Sequence, residues 1–350
     1  MSMDRSVTNR QISVIIPVYN CRTYLEGAVA SVLRQPSKMI DIVMVDDGST
    51  DGSAELCDQL AAKYGRIHVI HQKNGGVSSA RNAGIEYVLS APVVETRYIC
   101  FLDADDCWKQ MFFSDGIADL LEGGYHLLGF QSLDCDQNLN RISSPRAMEQ
   151  GCRRGGAEQV WVHSQQHFGA MFYAAKLLRD YGIRFQDGLR YSEDKIFSMQ
   201  CLYLADTIWL ENHVLYLYRH TRNSAIGSRK YGISYYIPIV EGYLQMDACM
   251  RKYVTESRGR LLACKICVIH YLMDMIDEHF RQWGTKAEVD QLLNEHPQYL
   301  AALKAEADFA VISQEARYLC YASHPYKYML QHYVLGMGFY IRRFLKRFVG

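Results

Sequence analysis

The stretch Ser13-Val-Ile-Ile-Pro-Val-Tyr-Asn20 begins the strand-and-helix alternation that decides the fold of this chain. Residues 13–18 form a short apolar run rich in β-branched side chains, and residues 24–34 then place apolar side chains at helical spacing. The alternation continues with strands predicted at 40–45, 67–70 and 98–102 and helices at 54–64 and 78–89. Such an alternation predicts right-handed βαβ crossovers and a mostly parallel sheet flanked by helices, an α/β fold.

The length of the chain indicates the size of its core, and its net charge disfavours one class of partner. The chain has 350 residues, of which 49% are hydrophobic, so it can bury one large core or two moderate ones. Lys plus Arg and Asp plus Glu are both 38, and the resulting net charge of zero offers no long-range field for nucleic acid. We therefore expect no nucleic-acid partner, and any anionic ligand must be met by a local site.

Cysteine usage and hydropathy predict a cytoplasmic protein. The 11 cysteines are scattered, and no pair has the close spacing of a zinc site, so we expect reduced thiols. The polar segment Met1–Gln11 leads directly into the first strand and does not read as a signal peptide. No run of about 18 apolar residues predicts a transmembrane helix.

Polar residues follow each of the four predicted strands. They are Tyr19 and Asn20, then Asp46–Asp51, then Asn74–Arg81, and finally Asp103–Asp106. Sheets of this type bind ligands in the crevice beyond the carboxyl ends of their strands. We therefore expect these four turns to form one nucleotide site.

The run Asp46-Asp-Gly-Ser-Thr-Asp51 suits contact with a nucleoside. A carboxylate at a strand end can accept hydrogen bonds from a nucleobase imide or a ribose hydroxyl. Gly48 permits a tight turn, and Ser49 to Asp51 can cap the next helix. An ordinary Asp-Gly turn followed by a helix cap explains the run equally well.

The run Asp103-Ala-Asp-Asp106 suits a divalent metal. Three carboxylates in four residues repel one another unless a cation or donors compensate them. Mg²⁺ and Mn²⁺ take carboxylate and phosphate oxygens together, so the run favours a metal that bridges a diphosphate. The alternative is a solvated acidic turn.

The segment Asn74–Gly84 lies between these acidic runs. Gly75 and Gly76 let the backbone approach a ligand, and Arg81 lies in the following helix, where it can face a diphosphate. No Gly-Lys-Ser/Thr follows the glycines, and no Gly-x-Gly-x-x-Gly follows the first strand. Both absences disfavour an ATPase and a dinucleotide oxidoreductase.

Together these runs resemble the family 2 glycosyltransferases, whose fold is the GT-A type, and among them the enzymes of bacterial polysaccharide biosynthesis. The resemblance covers about 100 residues and extends more loosely to about residue 228. It implies that the nucleotide is bound by Pro17, Tyr19, Asp47, Arg81 and Asp103, with Tyr19 and Asp47 on the base. It also implies that Asp105 is the ligand of Mn²⁺ or Mg²⁺.

The family's catalytic base belongs to a Glu-Asp pair that opens a helix, and Tyr191-Ser-Glu-Asp-Lys195 stands in that place. The helix dipole keeps such a carboxylate ionised, and it can still take a proton from an attacking hydroxyl. Asp194 is the candidate base and Glu193 its competitor. The plain alternative is that Ser192 to Asp194 only cap the helix.

The resemblance implies an inverting glycosyltransferase of the hexosyltransferase type. It would move a sugar from a nucleotide diphosphate donor, with UDP favoured, to a hydroxyl of a glycan or a lipid-linked glycan in cell-surface polysaccharide or glycolipid biosynthesis. The downstream segment Tyr218–Ser224 also resembles a segment of the family. The resemblance assigns three of its basic residues to the phosphates: Arg219, His220 and Arg222.

Two alternatives stay open. A sugar nucleotidyltransferase normally carries a Gly-rich basic loop after its first strand, and Pro17–Asn20 offers none. A catalytically silent sugar-nucleotide-binding protein or scaffold is the second, and the presence of Asp105 and Asp194 disfavours it.

The sequence predicts two regions in the chain. Residues 1–228 are interpreted as the GT-A domain, with a nucleotide-sugar half at 1–131 and an acceptor-side half at 132–228. Within the second half we predict a loop-rich insertion at 134–166, helices at 168–181 and 193–204, and strands at 207–210 and 214–218. Residues 229–350 are predicted to be helical.

The segment 335–350 has the pattern of a short amphipathic helix. Met337, Ile341, Phe344, Leu345 and Phe348 fall on one face, and Arg342, Arg343, Lys346 and Arg347 lie beside or opposite them. This pattern suits peripheral attachment to the anionic inner face of the cell membrane, where lipid-linked acceptors would be found. Packing on the protein's own core or on a second subunit of a homo-oligomer is the alternative.

Overall fold

The computed structural model describes residues 12–35, 39–90, 97–114, 117–145, 150–154, 167–189, 191–221, 233–253, 271–282 and 285–299. The chain divides into two compact units, Met1–Gly227 and Ser228–Gly350. The described part of the second unit includes the helices α7 (Ile233–Met250), α8 (271–281) and α9 (Lys286–Glu295). The helical character predicted for this region is confirmed over these three elements.

The first unit is built on one nine-stranded sheet. Its strands are β1 (Ile12–Val18), β2 (Ile40–Asp46), β3 (Ile67–His71), β4 (Tyr98–Phe101), β5 (Cys107–Trp108), β6 (Leu127–Cys135), β7 (Gly151–Arg154), β8 (Met171–Ala174) and β9 (Thr207–Arg219). Its described helices are α1 (Arg22–Leu33), α2 (Ser53–Lys63), α3 (Val77–Ser90), α4 (Ile117–Glu122), α5 (Ala175–Asp180) and α6 (Glu193–Leu204). The predicted α/β class, with strands and helices alternating through the first hundred residues, is confirmed.

The strand order explains where a site can form. The order is β3-β2-β1-β4-β8-β6-β9-β5, with β7 paired to β9. Strands β1 to β4 are parallel to one another, and β8 is antiparallel to both β4 and β6. Because β9 is parallel to β6, both strands end at the same edge as β1 to β4. The residues that follow these six strands, β1 to β4, β6 and β9, therefore lie along one edge of the sheet.

Strand β1 lies at the centre of the parallel part and is buried except at Pro17. A proline cannot donate to the ladder, so it is tolerated where a neighbour is absent. The pairing of β1 with β4 stops at Ile15 and Phe101, before Pro17, while the pairing with β2 continues past it. The sheet therefore opens between β1 and β4 at the carboxyl edge.

Helix α3 approaches the sheet closely because Gly84 has no side chain. A Cβ atom at Gly84 would lie 2.5 Å from Cγ2 of Ile15 in β1. The close approach fixes the position of α3 on the sheet, and with it the position of the side chains on its first two turns.

One predicted element is wrong. Residues 168–181 do not form a single helix; a 3-10 turn (Phe168–Ala170) leads into β8, and α5 follows. All four residues of β8 are buried between β4 and β6. Periodicity cannot distinguish a short, fully buried strand from a helical segment.

Two further predictions need correction. The strands predicted at 207–210 and 214–218 are one strand, β9, whose pairing with β6 shifts register near Gln131. The predicted loop-rich insertion at 134–166 contains the strand β7, and residues 155–166 lie outside the described residues. No helix in the described part of the chain is both long and apolar enough to cross a membrane.

Candidate active site

The carboxyl ends of β1 and β2 are tied together by side-chain hydrogen bonds. Asn20 adopts a left-handed backbone with φ of 49°, a conformation that asparagine tolerates. Its Oδ1 accepts from the Thr50 backbone N–H at 2.8 Å, and its own N–H donates to Ser49 Oγ at 3.1 Å. Tyr19, which is 54% exposed, is thereby held beside the Asp46–Asp51 run.

Asp47 anchors the glycine pair that precedes α3. Its Oδ1 accepts from the Gly75 N–H at 2.8 Å and from Gln72 Nε2 at 2.7 Å, and its Oδ2 accepts from the Gly76 N–H at 2.8 Å. The carboxylate is buried. The structure therefore shows Asp47 holding the loop before α3, and its predicted contact with a nucleobase stays a prediction.

Asp46 points away from that loop and forms a second cluster. Its Oδ1 accepts from the Ser49 N–H, and its Oδ2 lies 3.0 Å from His71 Nδ1. Burial raises the pKa of Asp46, but hydrogen bonds from Ser49 and His71 outweigh burial and hold it below its ordinary value. Nε2 of His71 meets Asp58 at 3.1 Å, and the hydrogen bonds to Asp46 and Asp58 raise the pKa of the imidazole.

This cluster predicts a pH-dependent stability. A histidine whose pKa is raised by folding stabilises the native state fully below its unfolded pKa of 6.5, and the contribution is lost as pH rises through the folded value. The stability lost on His71→Gln should therefore be largest at low pH and shrink as the pH rises above 6.5 through the raised pKa of the folded state. Urea unfolding from about pH 5.5 upward measures it, with His68→Gln on the same strand as control. A loss that is constant across this range would contradict the assignment.

Arg81 on α3 is the centre of the candidate site. It is 3% exposed, and its Nη2 donates to Asp103 Oδ1 at 2.7 Å while its Nη1 donates to Glu193 Oε1 at 3.0 Å. Burial opposes the charge of Arg81, but Asp103 and Glu193 outweigh it and raise the guanidinium pKa. One side chain therefore joins the turn after β4 to the start of α6.

Aromatic rings hold the guanidinium in place. Its central carbon lies 4.7 Å from the ring centroid of Phe168 and 5.2 Å from that of Phe185. The next residue on α3, Asn82, grips the Phe185 backbone by accepting from its N–H at 2.8 Å and donating to its carbonyl at 2.9 Å. Stacked and paired in this way, Arg81 has little freedom to reorient.

The acidic turn after β4 contains three carboxylates in different environments. Asp103 pairs with Arg81, and its side chain is 30% exposed. Burial, and secondly the charge of Asp103, raises the pKa of Asp105 to about 6. Asp106 is buried, and burial together with its two acidic neighbours raises its pKa well above the ordinary value.

The end of β9 supports this turn. Asp106 Oδ2 accepts from the Tyr216 hydroxyl at 2.6 Å, and its Oδ1 accepts from the Arg219 N–H at 2.7 Å. The Arg219 guanidinium donates to the carbonyls of Asp105 and Gln137, both at 2.6 Å. Arg219 therefore braces the acidic turn, and its predicted contact with a diphosphate stays a prediction.

The neighbouring basic residues lie further out. His220 Nε2 meets Asp134 Oδ1 at 3.1 Å, and both side chains are about half exposed. Arg222 lies outside the described residues. A role of His220 and Arg222 at the phosphates is therefore also a prediction still.

The two acidic residues at the start of α6 differ in what they already bind. Glu193 is paired with Arg81, and burial, followed by the charge of Asp194, raises its pKa to about 6 although Arg81 opposes the shift. Asp194 accepts a hydrogen bond at Oδ1 from the Lys195 N–H, and no partner meets its Oδ2 among the described residues. Asp194 thus keeps one carboxylate oxygen available to a ligand.

The backbone at this point is strained. Ser192 precedes α6 with φ of 63°, a left-handed conformation that is uncommon for residues other than glycine, asparagine and aspartate. Such conformations persist where the surrounding structure determines them, and they are common at functional sites. This conformation lies directly before the Glu193-Asp194 pair that opens α6.

No pattern in the sequence identified Tyr216, which contacts the acidic turn, or His167 and Gly169, which pack against Tyr216. The His167 and Tyr216 rings stack with centroids 4.4 Å apart, and the Tyr216 hydroxyl also accepts from the Asp103 N–H at 3.2 Å. Alternation along β9 places Tyr216 and Tyr218 on one face, but it does not reveal which residues that face meets.

Gly169 permits this packing, which yields a second prediction. A Cβ atom at Gly169 would lie 2.2 Å from Cε2 of the buried Tyr216 ring. Gly169→Ala should therefore cost about 1–3 kcal/mol of unfolding free energy and displace the hydroxyl that supports Asp106. Chemical denaturation measures the loss; Gly65→Ala is the control, because nothing lies within 4 Å of its added Cβ. Equal stability of the two variants would refute the packing argument.

The acidic turn can take part in binding a divalent metal, although the described residues contain no group of three His, Cys, Asp or Glu side chains arranged to hold one. Burial and the nearby charge of Asp103 disfavour the ionised form of Asp105, and a bound cation would favour that form. Asp105 would supply a protein oxygen, and diphosphate oxygens and water would have to complete the octahedral set that Mg²⁺ prefers. The donor chemistry fits such a metal.

The sequence is similar to that of known glycosyltransferases. The family described as glycosyl transferase family 2 matches residues 13–182. GlyG, a glycosyltransferase of Streptococcus pneumoniae, is 30% identical over 249 residues, which are 66% of this chain and 77% of GlyG. GgaB, a minor teichoic acid biosynthesis protein of Bacillus subtilis, is 41% identical over 203 residues, which are 55% of this chain and 21% of GgaB.

Among solved structures, S. aureus TarS 1–349 has the same fold. Its TM-score is 0.67 at 19% sequence identity, and the match covers 95% of this chain and 91% of that chain. TarS 1–349 has also been crystallised in complex with UDP-GlcNAc, and that structure matches with a TM-score of 0.62.

Proposed function

This chain belongs to glycosyl transferase family 2, and on that premise we propose that it transfers a sugar, with inversion, from a UDP-sugar to a hydroxyl of a glycan or lipid-linked glycan. The family resemblance, the GT-A type of fold and glycosyltransferase activity are thereby confirmed. The teichoic acid role in the name of GgaB and the UDP-GlcNAc bound by TarS support the choice of acceptor and donor.

The observation that carries the proposal is the pairing of Arg81 with Asp103 and Glu193. Asp103 follows a strand of the nucleotide-binding half, and Glu193 opens α6 next to the candidate base Asp194. A transfer reaction requires the donor and the proton acceptor to lie side by side. Arg81 holds the two elements in that relation.

The reaction proposed is a single displacement. The acceptor oxygen attacks the anomeric carbon as the bond from that carbon to the diphosphate breaks, and the acceptor's proton passes to the carboxylate of Asp194. The available Oδ2 of Asp194 supports this role, whereas Glu193 already accepts a hydrogen bond from Arg81. Asp194 therefore acts as base and Glu193 as its positioning neighbour.

Asp105 would hold a divalent metal ion, Mn²⁺ or Mg²⁺, when donor is present. An ion held there would supply positive charge to stabilise the departing diphosphate. Arg219 keeps the turn in shape by holding the Asp105 carbonyl. Pro17, Tyr19 and Asp47 would line the nucleotide at the ends of β1 and β2.

A binding screen tests the proposal. Nucleotide sugars that include UDP-GlcNAc, UDP-glucose and GDP-mannose are added with and without Mn²⁺, and thermal unfolding is recorded. A ligand at 100 times its dissociation constant stabilises the native state by about 2.7 kcal/mol. We expect stabilisation by a UDP-sugar that increases with Mn²⁺. Failure of every nucleotide sugar to stabilise the protein would end the proposal.

We also propose that the segment 335–350, which lies outside the described residues, binds an anionic membrane surface. Replacing Arg342 and Arg343 by glutamate should weaken binding of the full chain to phosphatidylglycerol vesicles, because each basic residue contributes about 1 kcal/mol near such a surface. Co-sedimentation measures this. Unchanged sedimentation of the variant would contradict the membrane role and favour packing on the protein itself or on a second subunit.

A further inference from the structure

His167 stands at the carboxyl edge of the sheet with its ring orientation determined. Its Nδ1 accepts from the Gly169 N–H at 3.2 Å, so in the neutral ring the proton lies on Nε2. The ring stacks on Tyr216 and lies 5.1 Å from the Tyr218 ring centroid. Tyr216 in turn is held by its hydrogen bonds with Asp106 and Asp103.

The Nε2–H group of this ring meets no acceptor among the described residues. The ring is partly buried, and the charges of Asp103 and Asp194 act on it. Burial lowers the pKa of His167, which favours the neutral ring with its single N–H donor. A donor that no protein group satisfies is open to an acceptor on a ligand.

The location of the His167 ring indicates which ligand accepts its hydrogen bond. In the proposed displacement, the sugar that is transferred lies between the departing diphosphate and the acceptor oxygen. His167 stacks on Tyr216, whose hydroxyl accepts the Asp103 N–H on the donor side. The next residue, Phe168, packs against Arg81, which pairs with Glu193 beside Asp194 on the acceptor side. A sugar hydroxyl is a good acceptor for a neutral N–H donor.

We propose that Nε2–H of His167 donates a hydrogen bond to a hydroxyl of the transferred sugar and thereby contributes to the choice of donor. The inference rests on the proposed function. It adds a residue that contacts the transferred sugar to the residues proposed to bind the nucleotide and to act as the catalytic base.

Two substitutions separate the two nitrogen atoms of the ring. His167→Asn places an amide oxygen near the position of Nδ1, so it keeps the bond from Gly169 and loses the Nε2 donor. His167→Gln places an amide N–H near Nε2 and loses the Nδ1 acceptor. His126→Asn is the matched control, because Nδ1 of His126 also accepts a backbone N–H, that of Asp206 at 2.9 Å, at the opposite edge of the sheet.

The measurement compares a nucleotide sugar with its nucleotide. Dissociation constants of UDP-GlcNAc and UDP are determined by calorimetry for the wild type and each variant. We expect His167→Asn to weaken UDP-GlcNAc about three- to tenfold and to leave UDP unchanged, because UDP lacks the sugar. His167→Gln should retain more of the UDP-GlcNAc affinity, and His126→Asn should match the wild type.

The outcomes are distinct. If His167→Asn binds both ligands like the wild type, or weakens both equally, the inference is overturned. If the wild type binds neither ligand nor any other nucleotide sugar of the screen, the proposed function has failed instead; if it prefers another nucleotide sugar, that compound and its nucleotide replace the pair. Should His167→Asn not fold, His167→Phe, which keeps a stacked ring without either nitrogen, carries the same comparison.

Discussion

Replacing Asp194 by asparagine is expected to lower kcat about 10²- to 10⁴-fold, the usual range for loss of a general base, while the donor still binds. The amide keeps the size of the side chain and an oxygen for the Lys195 N–H. It cannot take a proton from the attacking hydroxyl. Initial rates of transfer with the donor found in the screen, together with calorimetric donor affinity, separate the two effects.

Two control variants sharpen that result. Asp180→Asn removes an exposed carboxylate that pairs with Lys176 on α5, and it should leave turnover unchanged. Glu193→Gln weakens a buried pair with Arg81, so it should lower stability as well as rate. Normal turnover of Asp194→Asn with donor bound would remove Asp194 from the mechanism, and a rate lost only in Glu193→Gln would identify Glu193 as the base.

The second large effect is expected at Arg81. Replacing it by methionine keeps much of the side-chain volume and leaves Asp103 and Glu193 without their common partner. Breaking a buried ion pair by removing one member typically costs about 3–5 kcal/mol. We expect Arg81→Met to lower the free energy of unfolding by that amount in urea denaturation and to abolish transfer, because the donor and base elements are no longer joined.

Arg97→Met is the matched control for this loss. Arg97 pairs with Glu122 on the surface, where both side chains are well exposed, and such pairs contribute about 0–1 kcal/mol. Should Arg81→Met fail to accumulate, Arg81→Lys keeps one charge but loses the two-pronged geometry, and it should be clearly less stable than Arg97→Lys. Equal stability of the Arg81 and Arg97 variants would show that the pairings of Arg81 are not structural.

The effects expected at Asp194 and Arg81 differ because the two residues have different roles in the site. Arg81 acts through other residues: it orients Asp103 and Glu193 and is itself held between Phe168 and Phe185. Asp194 acts on the substrate directly and needs an available oxygen. A variant of Arg81 should therefore lose both stability and rate, and a variant of Asp194 should lose rate alone.

Local patterns in the sequence determined most of the architecture. The runs Ser13–Val18 and Ile40–Val45 are apolar because both faces of a parallel sheet are covered by helices, and such runs are recognisable without a structure. Polar turns after these strands then share one edge by topology alone. For the same reason Asp47 and Asp103 were identifiable as candidates from their places in the chain, whereas the Glu193-Asp194 pair was identified through the family resemblance.

Tertiary structure decided what each of these side chains contacts. Arg81 is 112 residues from Glu193 in sequence, and only the folded chain brings them within hydrogen-bond distance. Strand β8, the stacked ring of His167 and the bracing role of Arg219 were likewise absent from the sequence patterns. Periodicity reports which face of an element is buried, whereas the partner of a buried polar group depends on segments distant in sequence that pack against it.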